Sequence, residues 1–359
     1  LHLSIRRQRQ MCIRDSLLTL KHTNMKKILF AAVAALAITS CSQNEMDGID
    51  NGQKGKAEIR FGYTPVTRAT VTTTNSLGNF TVNAYSSDGA TYSTDALDVI
   101  SNGYFTKKNG EDVWESTEKY YWPVGKKMHF FGYDTTSSEA TFTKETAGYP
   151  TLKYTIATDI TSQHDLLVAK LENQEYSTTN AVSLPFKHAL TQVLFNLKGD
   201  DETVTYTVKS VAINGVFKDG KYNYETGIWT DHINKEETGY VATPTNATVV
   251  NGTTATLLGT YTDNNDYNST TLMLMPQTVP DDATIVVTYS ATKKYGDVDT
   301  EIHAESNPIT VSLGGKTWTE GKKTTYTLIL SGDKVKIDGK IDTSDDWATN
   351  GDSDIDINK

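Results

Sequence analysis

The sequence predicts an all-β protein built as two tandem β-sandwiches, and three observations lead there. Apolar residues recur with period two along many short runs, the pattern of strands with one face buried. Clusters of Gly, Asn, Asp and Ser punctuate those runs, as turns do. Helical spacing is nearly absent, and Thr, Val and Tyr fill the alternating positions, where β-branched and aromatic side chains fit a pleated surface. Many short strands argue for sandwiches, and a length of 359 residues argues for two of them.

Taken in order, residues 1–24 show no clear periodicity and place four arginines and Cys12 ahead of Met25. They are expected to be a non-native leader or translation artefact and are set aside from the fold. At Met25 the pattern changes. Lys26 and Lys27 precede an apolar run from Ile28 to Ile38, too short for a stable membrane span and built like a secretory signal. The run stops at Cys41, and Ile38-Thr39-Ser40-Cys41 resembles a bacterial lipobox, in which the cysteine thiol is acylated and becomes the new N-terminus. Residues 25–40 are therefore expected to be a lipoprotein signal peptide, with Cys41 the lipidated residue and lipid the link to the outer membrane. Residues 41–56 are polar and read as a tether, and Glu45 and Asp47 suit export to the outer surface.

The chain carries a net charge of −10, and residues 1–40 hold seven of its 34 basic side chains but one of its 44 acidic ones, so the remainder is more acidic still. Such a surface repels phosphate polymers, which excludes nucleic acid as a partner. Cys41 is the last cysteine of the chain; once it is lipidated no thiol is left for a disulfide, and core size must supply the stability.

From Ala57 the alternation is explicit. Ile59, Phe61 and Tyr63 point one way while Glu58 and Arg60 point the other. Phe80, Val82 and Ala84 repeat the pattern, followed by Leu152, Tyr154 and Ile156, and then by Val204, Tyr206 and Val208. Ile285, Val287 and Tyr289, and finally Tyr326, Leu328 and Leu330, complete it. Turns are expected at Ser87-Asp88-Gly89, Lys108-Asn109-Gly110, Asp219-Gly220 and Ser331-Gly332-Asp333. A polar stretch, Glu172 to Asn180, gives way to a dense apolar one beginning at Val182. This places a domain boundary near Ser183, with an N-terminal sandwich over 57–182 and a C-terminal one over 183–340. Residues 341–359 form an acidic tail in which Ile355 and Ile357 alternate with Asp354, Asp356 and Asn358, as in a strand.

No nucleophile elbow, zinc-protease motif, phosphate loop or dinucleotide fingerprint is present. His129, His164, His188, His232 and His303 are scattered without metal-ligand spacing. The acidic tail lacks the glycine and the terminal glutamate of a calcium loop. No cofactor, metal or catalytic residue is expected, although a carboxylate pair brought together only in space would escape this reading. Trp114, Tyr121 and Trp122 could form a sugar-stacking platform on a monomeric surface lipoprotein; tryptophan beside strands is more often core.

Several phrases together resemble the fimbrillin (Mfa-like) family. They are His188-Ala-Leu-Thr-Gln-Val-Leu-Phe195, then Val211-Ala-Ile-Asn-Gly215 leading through Gly220-Lys-Tyr-Asn-Tyr224 to Thr226-Gly-Ile-Trp229. Trp318-Thr-Glu-Gly-Lys-Lys-Thr-Thr-Tyr326, Tyr121-Trp122-Pro123 and Asp165-Leu-Leu-Val-Ala169 complete the set, and the likeness runs from Glu58 to Asp356. Members of this family are surface lipoproteins of the Bacteroides group that build type V pili. The resemblance implies transthyretin-like sandwiches, no catalysis, other fimbrial subunits as partners, and a place in an extracellular pilus that supports cell adhesion. It also implies that a trypsin-like maturation protease cuts after an arginine just beyond the first strand, here between Arg68 and Ala69 in Pro65-Val-Thr-Arg-Ala-Thr70. An uncut anchor or tip subunit is the alternative within the family.

Strand physics supplies the consequence of such a cut. Removing the segment with Ile59, Phe61 and Tyr63 uncovers apolar pockets and unpaired backbone groups. A C-terminal strand of the next subunit, containing Val335 and Ile337 or Ile355 and Ile357, can refill the groove by strand addition. Donor and groove are different surfaces, so the contact propagates into a filament.

Overall fold

The computed structural model describes residues 57–62, 77–108, 111, 113–134, 140–178, 180–259, 269–338 and 342–344. Its first strands are β1 (Phe61–Gly62), β2 (Asn79–Ser87), β3 (Leu97–Lys107), β4 (Val113–Glu115), β5 (Lys127–Asp134), β6 (Thr141–Thr143), β7 (Thr151–Thr155), β8 (Leu167–Gln174) and β9 (Lys187–His188). There follow β10 (Thr191–Gly199), β11 (Val204–Asn214), β12 (Val216–Phe217), β13 (Asp219–Asn223), β14 (Ile228–Thr230), β15 (Lys235–Glu236), β16 (Tyr240–Ala242), β17 (Thr248–Asn251) and β18 (Thr256–Leu257). The last are β19 (Leu272–Leu274), β20 (Thr284–Tyr295), β21 (Val298–His303), β22 (Ile309–Ser312), β23 (Lys323–Leu330), β24 (Val335–Ile337) and β25 (Asp342–Ser344). A turn of 3-10 helix, Ile160–Ser162, and helical residues Ser269 and Thr270 stand among them in the described residues.

The N-terminal part is a seven-stranded sheet in the order β1-β4-β3-β2-β5-β8-β9. Period-two alternation predicts one buried face for β2, and the strand instead buries nearly every residue. The reason is that both faces of the sheet are covered. Phe80, Val82 and Ala84 pack with Ile59, Phe61, Val182, Leu184 and Phe186 on one side. Tyr85 joins Phe131, Leu152, Tyr154, Tyr222 and Tyr224 on the other, where a four-stranded sheet, β14-β13-β7-β6, lies.

The C-terminal part is two six-stranded sheets. In one, β10 and β23 run parallel in continuous register from Gln192 opposite Lys323 to Gly199 opposite Leu330. In the other, β11 pairs with β20 antiparallel, with one register shift between Val208 and Ser210. Their alternate residues meet in one core: Val193, Phe195, Tyr326, Leu328, Tyr206, Val208, Ile285 and Tyr289 belong to the same buried cluster. The Tyr289 hydroxyl donates to the Ser331 carbonyl at 2.7 Å, so a polar tip inside the core is satisfied and its desolvation is offset.

Strands from both sides of Ser183 share sheets: β9 closes the first sheet, and β13 pairs with β7 from Asp219 opposite Thr155 to Asn223 opposite Thr151. This corrects the expectation of a turn at Asp219-Gly220. Asp219 is buried and works as a bracket rather than a turn former. Its carboxylate accepts from the backbone N–H of Ile233 at 3.0 Å and of Asn234 at 3.1 Å, and from the Asn234 side-chain amide. Burial opposes its charge, but these donors outweigh burial and hold the carboxyl below its ordinary 3.8. The turn at Ser331-Gly332-Asp333 does form, between β23 and β24, with the Ser331 hydroxyl donating to the Lys334 carbonyl at 2.9 Å.

Because the Asp219 carboxyl is depressed, the stability it confers is present above 3.8 and lost as the pH falls below it. Asp219→Ala should cost about 3 kcal/mol at neutral pH by leaving buried donors without an acceptor. Urea unfolding should show this gap at pH 7 and a smaller one at acid pH.

Candidate functional site

The feature that stands apart is the segment Ala57–Gly62 and the groove it fills. Its backbone is held from two sides. Toward one, Ile59 N–H donates to Tyr120 O at 2.8 Å and Trp122 N–H donates to Ala57 O at 2.9 Å. Toward the other, Val182 N–H donates to Arg60 O at 2.7 Å and Gly62 N–H donates to Val182 O at 3.1 Å. Phe61 stands opposite Trp114 on β4 and bridges Val182 in the parallel sense. The segment is thus a short strand inserted between two others, although only Phe61–Gly62 is regular.

Its apolar side chains are deeply seated: Ile59 is 3% exposed and Phe61 1%. The Phe61 ring meets Phe105 edge-on with centroids 4.6 Å apart, Phe80 at 5.6 Å and Phe130 at 5.8 Å. Edge-to-face contacts of this kind add to the gain from burial itself. The opposite face of the segment is polar. Glu58 pairs with Lys119 at 2.7 Å and with Arg60 at 3.3 Å. Partial burial works against the Glu58 charge, but Lys119 and then Arg60 outweigh it and lower the carboxyl from its usual 4.5. This rim is largely exposed and adds little strength.

The aromatic trio expected as a glycan platform has a different job. Trp114 and Trp122 are each 3% exposed and lie in the core cluster with Ile59 and Phe61, while Tyr121 alone is open at 43%. The Trp114 indole N–H donates to Gly78 O at 3.1 Å, and Trp122 packs edge-on to Phe130 with centroids 5.9 Å apart. Neither indole offers a face to a sugar, so the platform is overturned: these rings wall the strand groove.

The C-terminal donor candidates divide. Val335 is buried, and Val335 and Ile337 lie opposite Leu330 and Leu328 in their own sheet. Further on, β25 pairs with the same edge of β23 from Asp342 opposite Thr325 to Ser344 opposite Lys323. This strand falls inside the stretch read as an acidic tail. Cys41, Tyr63, Arg68, Ala69, Ile355 and Ile357 lie outside the described residues. Val182 and Lys119 were not singled out as groove residues from the sequence; the abrupt apolar onset at Val182 was the available signal.

Three of the histidines pack against neighbours in the fold, and His188 contacts the Asp165 carboxylate at 2.5 Å. Buried His129 contacts the Ser87 hydroxyl at 2.9 Å, His232 contacts Pro276 O at 2.9 Å, and His303 stacks on Tyr289 with centroids 4.4 Å apart. Among the described residues no group of three or more His, Cys, Asp or Glu is placed to hold a metal.

An all-β protein whose first described strand fills a deep aromatic groove is what these features define. The family model described as fimbrillin-like matches residues 67–347, and the chain belongs to that family. The matched span is narrower than the 58–356 expected and begins just past the groove-filling segment. The prokaryotic membrane lipoprotein lipid attachment site matches residues 25–42, which contain Cys41. Fimbrium subunit Fim1C of Phocaeicola vulgatus is 25% identical over 93% of this chain and 99% of its own length. A solved fimbrial protein from Bacteroides vulgatus shares the fold with a TM-score of 0.60 at 18% identity, covering 80% of this chain and 99% of the other. A solved protein of Bacteroides uniformis, given as a candidate for cell adhesion, aligns with a TM-score of 0.46 at 17% identity over 82% of this chain and 99% of the other.

Phe61→Ala should destabilise the seated strand by about 3–5 kcal/mol. Amide exchange should then quicken at Trp122 and Val182, whose N–H groups bond to the segment, ahead of the β10–β23 core. Uniform acceleration throughout the chain would show instead that the groove has no separate stability.

Proposed function

We propose that this protein is a pilus subunit, delivered to the cell surface as an outer-membrane lipoprotein and polymerised by strand exchange once its first strand has been removed. The observation that carries this reading is the seat of Ile59 and Phe61: two buried side chains on a segment of six residues, held by a few backbone bonds. Each such side chain stabilises by about 1.5–3 kcal/mol when buried, so an empty groove is a strong acceptor for any strand of the same pattern.

Cleavage between Arg68 and Ala69 by a trypsin-like protease would free the lipid at Cys41, the tether and the strand together. The donor is the segment containing Ile355 and Ile357, which are two residues apart as Ile59 and Phe61 are, and so share one face of a strand. Val335 and Ile337 are less suited, because donating them would strip the β23 edge they already cover. Two transthyretin-like domains that share strands across Ser183 accompany this reading, as do partnership with other fimbrial subunits, a role in adhesion, and the absence of catalysis. Membership of the fimbrillin-like family and the lipid attachment site support it.

The test is digestion of the purified protein with a trypsin-like protease, mass spectrometry for a new terminus at Ala69, and sizing of the product. Arg68→Ala should remain an uncut monomer, and a chain ending at Ser344 should be cut but fail to form chains. Normal polymers from Arg68→Ala would overturn the cleavage route, and normal polymers from the shortened chain would move the donor elsewhere.

A further inference from the structure

The wall of the strand groove carries a charge that belongs to it and not to its occupant. On the polar face of the seated segment, Lys119 reaches the Glu58 carboxylate at 2.7 Å, and Arg60 meets the same carboxylate at 3.3 Å. Glu58 and Arg60 lie on the segment itself. Lys119 lies on the wall, one residue ahead of Tyr120, whose carbonyl accepts from the Ile59 N–H. Removing the strand takes one acid and one base away together, and the Lys119 ammonium loses the carboxylate it held. The neighbouring acids are engaged elsewhere: Glu115 lies 3.9 Å from Lys108, and Glu118 accepts from the Tyr120 hydroxyl at 2.8 Å.

We infer that Lys119 decides which strand the emptied groove accepts, by pairing with Asp354 of a second copy of the chain. The pairing rests on the strand-exchange reading above and adds how the groove tells one apolar strand from another. When the donor runs in the direction of the departing segment, Ile355 takes the seat of Ile59 and Ile357 that of Phe61. Asp354 then falls where Glu58 stood, and Asp356 where Arg60 stood. The backbone keeps that direction, because Glu58 opposes Tyr121 in the antiparallel sense and the Tyr120 carbonyl and Trp122 N–H are placed for an antiparallel neighbour. The isoleucines keep the register. A slip of two residues would put Ser353 in the Ile59 seat or Lys359 in the Phe61 seat, and a slip of one would turn the acids inward.

The competing segment is rejected on charge. Val335 and Ile337 have the same spacing, but Lys334 precedes them and Lys336 stands between them. In the same register Lys334 would meet Lys119, a like-charge contact that works against binding. An exposed ion pair adds little affinity. Its use here is discrimination, since the two candidates differ at this position as an acid differs from a base.

Protease-triggered assembly of the full chain, followed by light scattering and sizing, tests the pairing by charge swaps. Lys119→Glu and Asp354→Lys should each slow assembly about three- to tenfold, and the double variant should return close to the wild-type rate. Lys119→Glu also loosens the first strand, but equally with either donor, so comparing it with the double variant reads donor acceptance alone. Asp354→Lys therefore slows assembly into one groove and speeds it into the other, a reversal no folding defect produces. Asp356→Lys makes the same change in tail charge, restores the acid-then-base order of Glu58 and Arg60, and should assemble within about twofold of the wild type. If Asp354→Lys slows both grooves alike or changes neither, the inference is overturned while strand exchange stands. The same holds if Asp356→Lys is as slow as Asp354→Lys. A wild type that is cut yet forms no chains would remove strand exchange itself, and this pairing with it.

Discussion

The N-terminal part of the structure depends on the burial of Phe61 among Phe80, Phe105 and Phe130. Those rings come from three neighbouring strands of one sheet, and Trp114 and Trp122 close the sides. Without the Phe61 ring these side chains would line a cleft too apolar to be left open to water. Dense aromatic packing has little capacity to collapse around a missing side chain, so the groove demands an occupant rather than shrinking. The polar face of the segment, with Glu58 between Lys119 and Arg60, orients it but holds it loosely. Depth of seat and shortness of attachment together are what the proposed strand exchange requires.

The rest of the molecule shows how strand edges are managed. The outer edge of β23 is covered by β24 and then β25, which fold back along it from Leu330 to Lys323. An open edge there would expose a row of backbone donors and acceptors to other chains. The same requirement explains why the groove beside Tyr120, Trp122 and Val182 is filled. Its filling comes from a segment only six described residues long rather than from a hairpin of the neighbouring sheet.

Much of this was legible in the sequence because alternation reports burial directly. Ile59 and Phe61, Leu152 and Tyr154, Ile285 and Val287, and Tyr326 and Leu328 all face the core as their spacing requires. What alternation cannot report is a second covered face, so the double burial of β2 was invisible until its neighbours were known. Asp219-Gly220 misled because local turn chemistry is read without partners. The carboxylate is fixed by amides fourteen and fifteen residues away. Trp114 and Trp122 stood among turn-like residues with no period to place them, and their burial follows from pairing with a strand far earlier in the chain. The parallel union of β10 with β23, whose residues lie in two of the phrases that carried the family resemblance, is likewise a long-range fact.

The central claim is that the first strand is a detachable occupant of a groove made for its side chains. The most direct measurement is competition during assembly: protease-treated protein incubated with a synthetic peptide covering residues 57–62, with polymer length followed by sizing and electron microscopy. The account predicts that the peptide caps the groove and shortens the chains, and that the same peptide with Phe61→Ala does not. Polymer growth indifferent to the intact peptide would contradict it.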